Sequence, residues 1–411
     1  MDNVLFLTDY IEGQPVVASI RYEELMLYFQ KKFNIFVVND NKYGSYNSEF
    51  GVENFKFITE RKIKNFKQKN QEYNQNVFKI KIKKMVKNKY IKKIYKYVMF
   101  NNKKFFLSNR KLLQKLNSLI QEKEIKYIFI TVPDIYVIYI ADYLKRKNKQ
   151  LQVISEIRDL IVNKIFIENG IPKSILKNAE KIMLKTSNEI IALSDGIENE
   201  YKVKFKNNIV IIKNGYNEEL FKRFSYRKLE LDDKKTLIFS HVGSIYTGRN
   251  ISEFIAALYE LNLIIHKKII FNIIGYVDDQ GIIDISNVKK KYNNENVQIN
   301  ILGSMEHSKA IEAMFDSDIL VIITHQSGSE YAIPGKTFEY IGACKPTIAV
   351  TKDLPLINLI NGRYGECAEH NKQDIVEKIV EIIRKDYNFE NREIYSRRIQ
   401  ASKIIDEINK N

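Results

Sequence analysis

The chain has 411 residues and a mass of 48.4 kDa, past the size at which a single core keeps growing, so two domains are expected. Its 45% hydrophobic and 12% aromatic content excludes a disordered tail, and Cys344 and Cys367 alone build neither a disulfide framework nor a thiolate metal site. The formal charge of +16 points to an anionic partner, but 16 basic and 2 acidic residues fall between Glu60 and Lys104, so a near-neutral protein carries one cationic insert.

In chain order, Val4–Thr8 reads as a strand, followed by a loop with Gly13 and Pro15, a helix over Ala18–Gln30 and the strand Phe33–Val38. After the insert come a helix around Leu107–Ile120, the strand Tyr127–Ile130, a helix from Asp134, and strands at Leu151–Ser155, Glu189–Leu193 and Asn208–Ile212. Residues 222 to 235 are polar and lack periodicity, which places a domain boundary there. The pattern then restarts with strands at Thr236–Gly243, Ile269–Gly275, Val297–Gly303, Asp318–Thr324 and Pro346–Val350, and closes with helices at Asp374–Ile383 and Arg392–Ile408. Strands alternating with helix-length segments are the signature of βαβ units around parallel sheets. The expected division is an N-terminal domain over 1–222, a linker over 223–235, a C-terminal domain over 236–390 and a last helix within 391–411. That helix is expected to pack back toward the N-terminal domain.

Several classes fall on spacing. The five histidines form no HExxH-like pattern, so no metal site is expected. The N-terminus lacks the basic lead of a signal peptide. The apolar stretch Tyr127–Ala141 is interrupted by Thr131, Pro133 and Asp134 and is too short to span a bilayer.

Three segments carry candidate chemistry. In HVGSIYTGRN (His241–Asn250), Gly243, Ser244 and Gly248 make a strand-to-helix loop where backbone N–H groups can hold a phosphate and Arg249 can add a charged contact. The segment is neither GxGxxG nor a P-loop. In His325–Val350, Glu330 and Tyr331 precede Pro334, Gly335, Lys336 and Thr337 at a helix start suited to a diphosphate. Glu339 lies one turn on, where it can accept ribose hydroxyls or pair with Lys336. In SEIRDL, Glu156, Arg158 and Asp159 sit at a strand end. They can orient acceptor hydroxyls and donor phosphate or form a structural ion-pair network.

Taken together these segments resemble a GT-B glycosyltransferase of the family 4 type over nearly the whole chain. ISEIRDL is similar to a "DxRDxW" segment, NGYNEELF (Asn214–Phe221) to "NGxDxxxF", and HVGSIYTGRN to a "GxxYxGR" phosphate loop. SMEHSKAIEAMFDSDILV resembles the lead-in of the donor domain, and IPGKTFEYIGACKP resembles "PxKxxEYxxxGxP". The resemblance implies an α/β fold of two Rossmann-like, doubly wound domains facing across a cleft. It implies a nucleoside-diphosphate sugar as donor substrate, no cofactor or metal, and retention at the anomeric carbon. Arg249 and Lys336 would stabilise the leaving diphosphate, Glu339 would bind the ribose, and Gly275 would lie near the base. Acceptor would enter between the Gly13 loop and Arg158. The chain departs from the pattern where Tyr331 occupies the partner position to Glu339, with Glu330 one residue out of register. The usual lysine after the phosphate-loop arginine is also absent, a charge Lys336 can replace.

Within the insert, Phe78, Ile82, Met85, Val86, Tyr90, Ile94 and Tyr97/Val98 form one helical stripe among lysines, fit to lie on an anionic membrane surface. No nucleic-acid-binding pattern accompanies the charge, so none is expected as partner. The expectation is a cytoplasmic-face enzyme of surface polysaccharide or lipopolysaccharide assembly with a glycan or lipid-linked acceptor. The alternatives are a sugar-nucleotide epimerase of related fold and a non-catalytic nucleotide-sugar-binding protein.

Overall fold

The computed structural model describes residues 1–8, 17–40, 51–55, 89–168, 170–231, 234–246 and 248–410. Contacts divide the chain into two compact units, one of Met1–Leu193, Ile197–Ile212 and Ala401–Asn411, the other of Ser194–Gly196 and Lys213–Gln400.

The first unit is built on a parallel sheet of β1 (Asp2–Thr8), β2 (Phe33–Asp40), β3 (Gly51–Phe55), β4 (Tyr127–Val132), β5 (Gln152–Ile157), β6 (Glu189–Ala192) and β7 (Ile209–Ile211), in the order β3-β2-β1-β4-β5-β6-β7. The central strands are near-continuous apolar runs because helices cover both faces of such a sheet. Every residue of β4 is buried, and Phe6 of β1 stacks on Phe129 at 4.9 Å between ring centroids. From the helix Arg397–Lys410, Ala401, Ile404, Ile405 and Ile408 enter the same core at helical spacing.

The second unit repeats the design with β8 (Thr236–Val242), β9 (Lys268–Ile274), β10 (Val297–Gly303), β11 (Ile319–Ile323), β12 (Thr347–Val350) and β13 (Gly365–Ala368), in the order β10-β9-β8-β11-β12-β13. Its strands are parallel too, and the order reverses between β8 and β11. Open α/β sheets bind ligands outside the carboxyl ends of strands at such a switch point.

Four readings change. Within the segment expected as a linker, Phe224 and Leu229 are buried in the second core, and the second unit takes in the chain from Lys213. The helix expected over Leu107–Ile120 is two, Asn102–Ser108 and Arg110–Glu122, because the Asn109 side chain donates back to the Phe105 carbonyl and ends the first. Likewise Arg392–Tyr395 is a 3-10 turn, and Ser396, whose hydroxyl accepts from the Ile399 N–H, starts the final helix. Strands β3 and β13, GVENF and GECA, lack the apolar run that marks the others. Among the described residues no helix is long and apolar enough to cross a membrane.

Candidate active site

The carboxyl ends of β8 and β9 meet as bare backbone. Gly243 has φ +127° and Gly275 φ +142°, and a Cβ on Gly275 would lie 2.5 Å from the Gly243 carbonyl oxygen. A Cβ on Gly243 would lie 2.9 Å from Lys336 Nζ. The positive φ favours glycine at both positions, and at Gly275 the close approach of the two strand backbones requires it as well.

Two cations converge on this floor. Lys336 begins the helix Lys336–Gly342, and its Nζ lies 3.0 Å from His241 Nε2. His241 is fully buried near the end of β8, with Nδ1 3.0 Å from the Val321 carbonyl. That carbonyl only accepts, so Nδ1 carries the proton and Nε2 presents its lone pair to Lys336. Burial, then the charges of Lys336 and Arg249, hold the His241 imidazole well below the ordinary histidine range. Burial and the neighbouring Arg249 likewise hold Lys336 well below the usual lysine range, with Glu339 pulling weakly the other way. Arg249 and Lys336 thus stand close enough to repel one another, with Glu339 the carboxylate that acts on Lys336.

Arg249 is anchored by Nη1 donating to the Ser244 carbonyl at 2.6 Å and lies 4.6 Å over the Tyr246 ring. Its Nε is buried with no hydrogen-bond partner among the described residues. With Tyr246, Gly248 and Gln326 it lines a cavity of about 190 Å3. Glu339 is oriented by His307, Nε2 to Oε1 2.8 Å, rather than by Lys336. The buried Tyr340 hydroxyl accepts from the Val242 N–H at 2.8 Å and donates to the Val321 carbonyl at 3.3 Å, tying β8 to β11 beneath the site.

Other expected contributors are placed differently. Thr337 is fully buried, and its hydroxyl has no hydrogen-bond partner among the described residues. The helix it belongs to has only seven residues, so its dipole is short. Pro334 and Gly335 precede it, partly exposed, as does Tyr331. Glu330 is exposed and its Oε1 accepts from the Gly328 N–H at 2.8 Å, folded into its own loop. A Cβ on Gly248 would lie 2.7 Å from His325 Nδ1.

In the first unit Glu156 makes the structural ion pair that is the second of its two expected roles. It is fully buried, with Arg21 Nη2 2.5 Å and Nε 3.2 Å away and the Tyr22 hydroxyl at 2.6 Å. Burial acts to raise its carboxyl, but the Arg21 charge and these hydrogen bonds prevail and hold it below the usual range. Arg158 is half-buried with its guanidinium 5.8 Å over the Tyr22 ring, and Asp159 is exposed. Gly13 lies outside the described residues.

His241 and His307 carry no motif signal toward this role. Their only trace is position, one near a strand end before the glycine loop and one at a helix start. Among the described residues no group of three or more His, Cys, Asp or Glu side chains is disposed to hold a metal ion.

Two doubly wound sheets with a glycine floor at the second one's switch point define a GT-B fold, and solved structures agree. The chain matches Anabaena HepE in complex with UDP at 13% identity and TM-score 0.66, covering 100% of each chain. It matches the sucrose-phosphate synthase of Thermosynechococcus elongatus at 13% identity and TM-score 0.64, covering 99% of this chain and 98% of the other. The UDP-forming α,α-trehalose-phosphate synthase of Burkholderia xenovorans, in complex with glucose-6-phosphate, matches at 8% identity and TM-score 0.67, covering 99% of this chain and 100% of the other. No family model and no curated protein sequence matches the chain.

Proposed function

We propose that the protein is a glycosyltransferase that moves a sugar from a nucleoside-diphosphate sugar to a glycan or lipid-linked acceptor. The observation that carries this reading is the pairing of Arg249 and Lys336 at one sheet's switch point, over a glycine floor and beside a His307-oriented Glu339. A diphosphate supplies a counter-charge to Arg249 and Lys336, and Glu339 is a hydroxyl acceptor for the ribose one helical turn away. Structures of similar fold, one in complex with UDP and one named as a UDP-forming synthase, support the same donor class.

In the reaction the bond from the anomeric carbon to the diphosphate oxygen breaks, the acceptor hydroxyl oxygen bonds to that carbon, and the hydroxyl proton passes to the departing diphosphate. Negative charge grows on the departing diphosphate while the sugar gains oxocarbenium character. Cations fixed where that charge develops lower the barrier without reorganising. His241 contributes by accepting from Lys336, which aims the ammonium without neutralising it as a carboxylate would. On this reading leaving-group stabilisation needs no metal, and retention of configuration is part of the family likeness.

The test is nucleotide release from a panel of nucleoside-diphosphate sugars with isolated envelope glycolipid as acceptor. Arg249→Ala is expected to lower turnover by about 10²–10³-fold. Full transfer by Arg249→Ala and Glu339→Ala would overturn the assignment. Donor binding without turnover across acceptors would favour a non-catalytic sugar-nucleotide-binding protein, a reading to which Glu330, turned into its own loop, gives some support.

The proposed setting is surface polysaccharide or lipopolysaccharide assembly at the cytoplasmic face of a membrane. The helix Lys89–Met99 supports it: Ile94 is 65% exposed, and Tyr97 and Val98 are also exposed on a helix that carries four lysines. Interfacial helices place such apolar groups at the headgroup boundary, with each nearby lysine contributing about 1 kcal/mol against anionic lipid. Residues 78–88 of the expected stripe lie outside the described residues.

A further inference from the structure

We propose that the second unit holds a separate site for a soluble phosphate-bearing small molecule, at the end of its sheet opposite the donor floor. Lys234 precedes β8, Asp318 precedes β11, and Lys345 precedes β12, so these residues stand at the amino ends of strands whose carboxyl ends carry Gly243 and its neighbours. Between them lies a cavity of about 420 Å3, walled also by Arg223, Arg227, Lys228 and the ring of Phe315. That volume is in the range of small-molecule pockets, about 300–1,000 Å3.

Its wall carries Asp316 and Asp318 against five cations, Arg223, Arg227, Lys228, Lys234 and Lys345. Asp318 is already committed, with one oxygen 2.6 Å from Lys234 Nζ and the other accepting from the Ile238 N–H at 2.9 Å. Arg223 turns to Glu312 at 2.6 Å and Lys228 to Asp386 at 2.9 Å. Among the described residues, no carboxylate lies within ion-pair distance of Arg227 or Lys345. Lys345 instead rests 5.7 Å over the Phe315 ring, which Arg223 shares at 5.3 Å and which is 46% exposed. An aromatic face is a weaker counter-charge than a carboxylate. Burial depresses the Lys345 ammonium, with Asp318 and Asp316 opposing the shift and Lys234 and Arg227 adding to it. A guanidinium fork and an ammonium around a recess match a phosphate's three acceptor oxygens better than a single carboxylate.

The chain contains no tryptophan. Phe315→Trp therefore gives one fluorescent reporter at the cavity wall of the full-length protein. Inorganic phosphate and glycerol 3-phosphate are expected to change its emission saturably. Arg227→Gln and Lys345→Met in that background should each weaken binding roughly ten- to hundred-fold. Arg249→Ala should leave this titration unchanged, which separates the site from the donor floor whatever the fate of the proposed transfer. No saturable response, or one reproduced by sodium chloride at equal ionic strength, overturns the proposal. A response to phosphatidylglycerol vesicles but not to the free phosphates also overturns it, in favour of a lipid headgroup. If Phe315→Trp fails to fold, calorimetry of phosphate into Arg249→Ala, with and without Arg227→Gln and Lys345→Met, gives the same decision.

Discussion

Lys336 faces the imidazole lone pair of His241, and burial beside Arg249 makes its positive charge costly. Because its pKa is depressed in the folded chain, the unfolded chain binds the additional proton between that lowered value and the ordinary 10.5, and native stability rises with pH through this window. Lys336→Met is therefore expected to raise the melting temperature and flatten that rise while abolishing transfer. Thermal melts across the window check both. Donor binding has the opposite sign: a diphosphate favours the ammonium, takes up a proton, and weakens as pH climbs above the bound-state pKa. Glu156 makes a contrasting residue-scale prediction. Its pair with Arg21 is buried on both sides, so Glu156→Gln strands a guanidinium and should cost about 3–5 kcal/mol in urea unfolding. The motif residues Arg249, Lys336 and Glu339 were legible in the sequence. Their partners were not, because His241 and His307 lie 95 and 32 residues away from Lys336 and Glu339 and meet them only through the fold.

At the scale of elements, sequence showed most where burial is two-sided. β1, β4 and β11 are continuous apolar runs because helices cover both faces, and such runs cannot be mistaken for loops. β3 and β13 were missed because GVENF and GECA offer no such run. The helix breaks at Asn109 and Ser396 were missed because a side chain bonding local backbone ends a helix without disturbing its apolar period. The strand-terminal glycines give an element-scale test. Gly275→Ala would drive a Cβ into the Gly243 backbone and is expected to cost about 1–3 kcal/mol, together with donor affinity. Gly303→Ala, with φ +72° and nothing within 4 Å of the new Cβ, should cost about 1 kcal/mol. Equal losses in denaturant midpoints for the two variants would show that the close approach of β8 and β9 is not what requires glycine.

For the whole molecule, net charge indicated an anionic partner without locating it. Three local groups of cations stand out: the lysines of the helix Lys89–Met99, the Arg249–Lys336 pair, and Arg227 with Lys345 at the other end of the same sheet. Flotation with anionic liposomes should retain the protein at low salt and lose it as ionic strength rises, while neutral liposomes retain little. The most direct test of the account is calorimetric titration with uridine, guanosine and adenosine diphosphates, in two buffers of different ionisation enthalpy. The account predicts that one diphosphate binds with net proton uptake and that Arg249→Ala weakens it about a hundred-fold. Binding of none of them, or equal binding by wild type and Arg249→Ala, would contradict it.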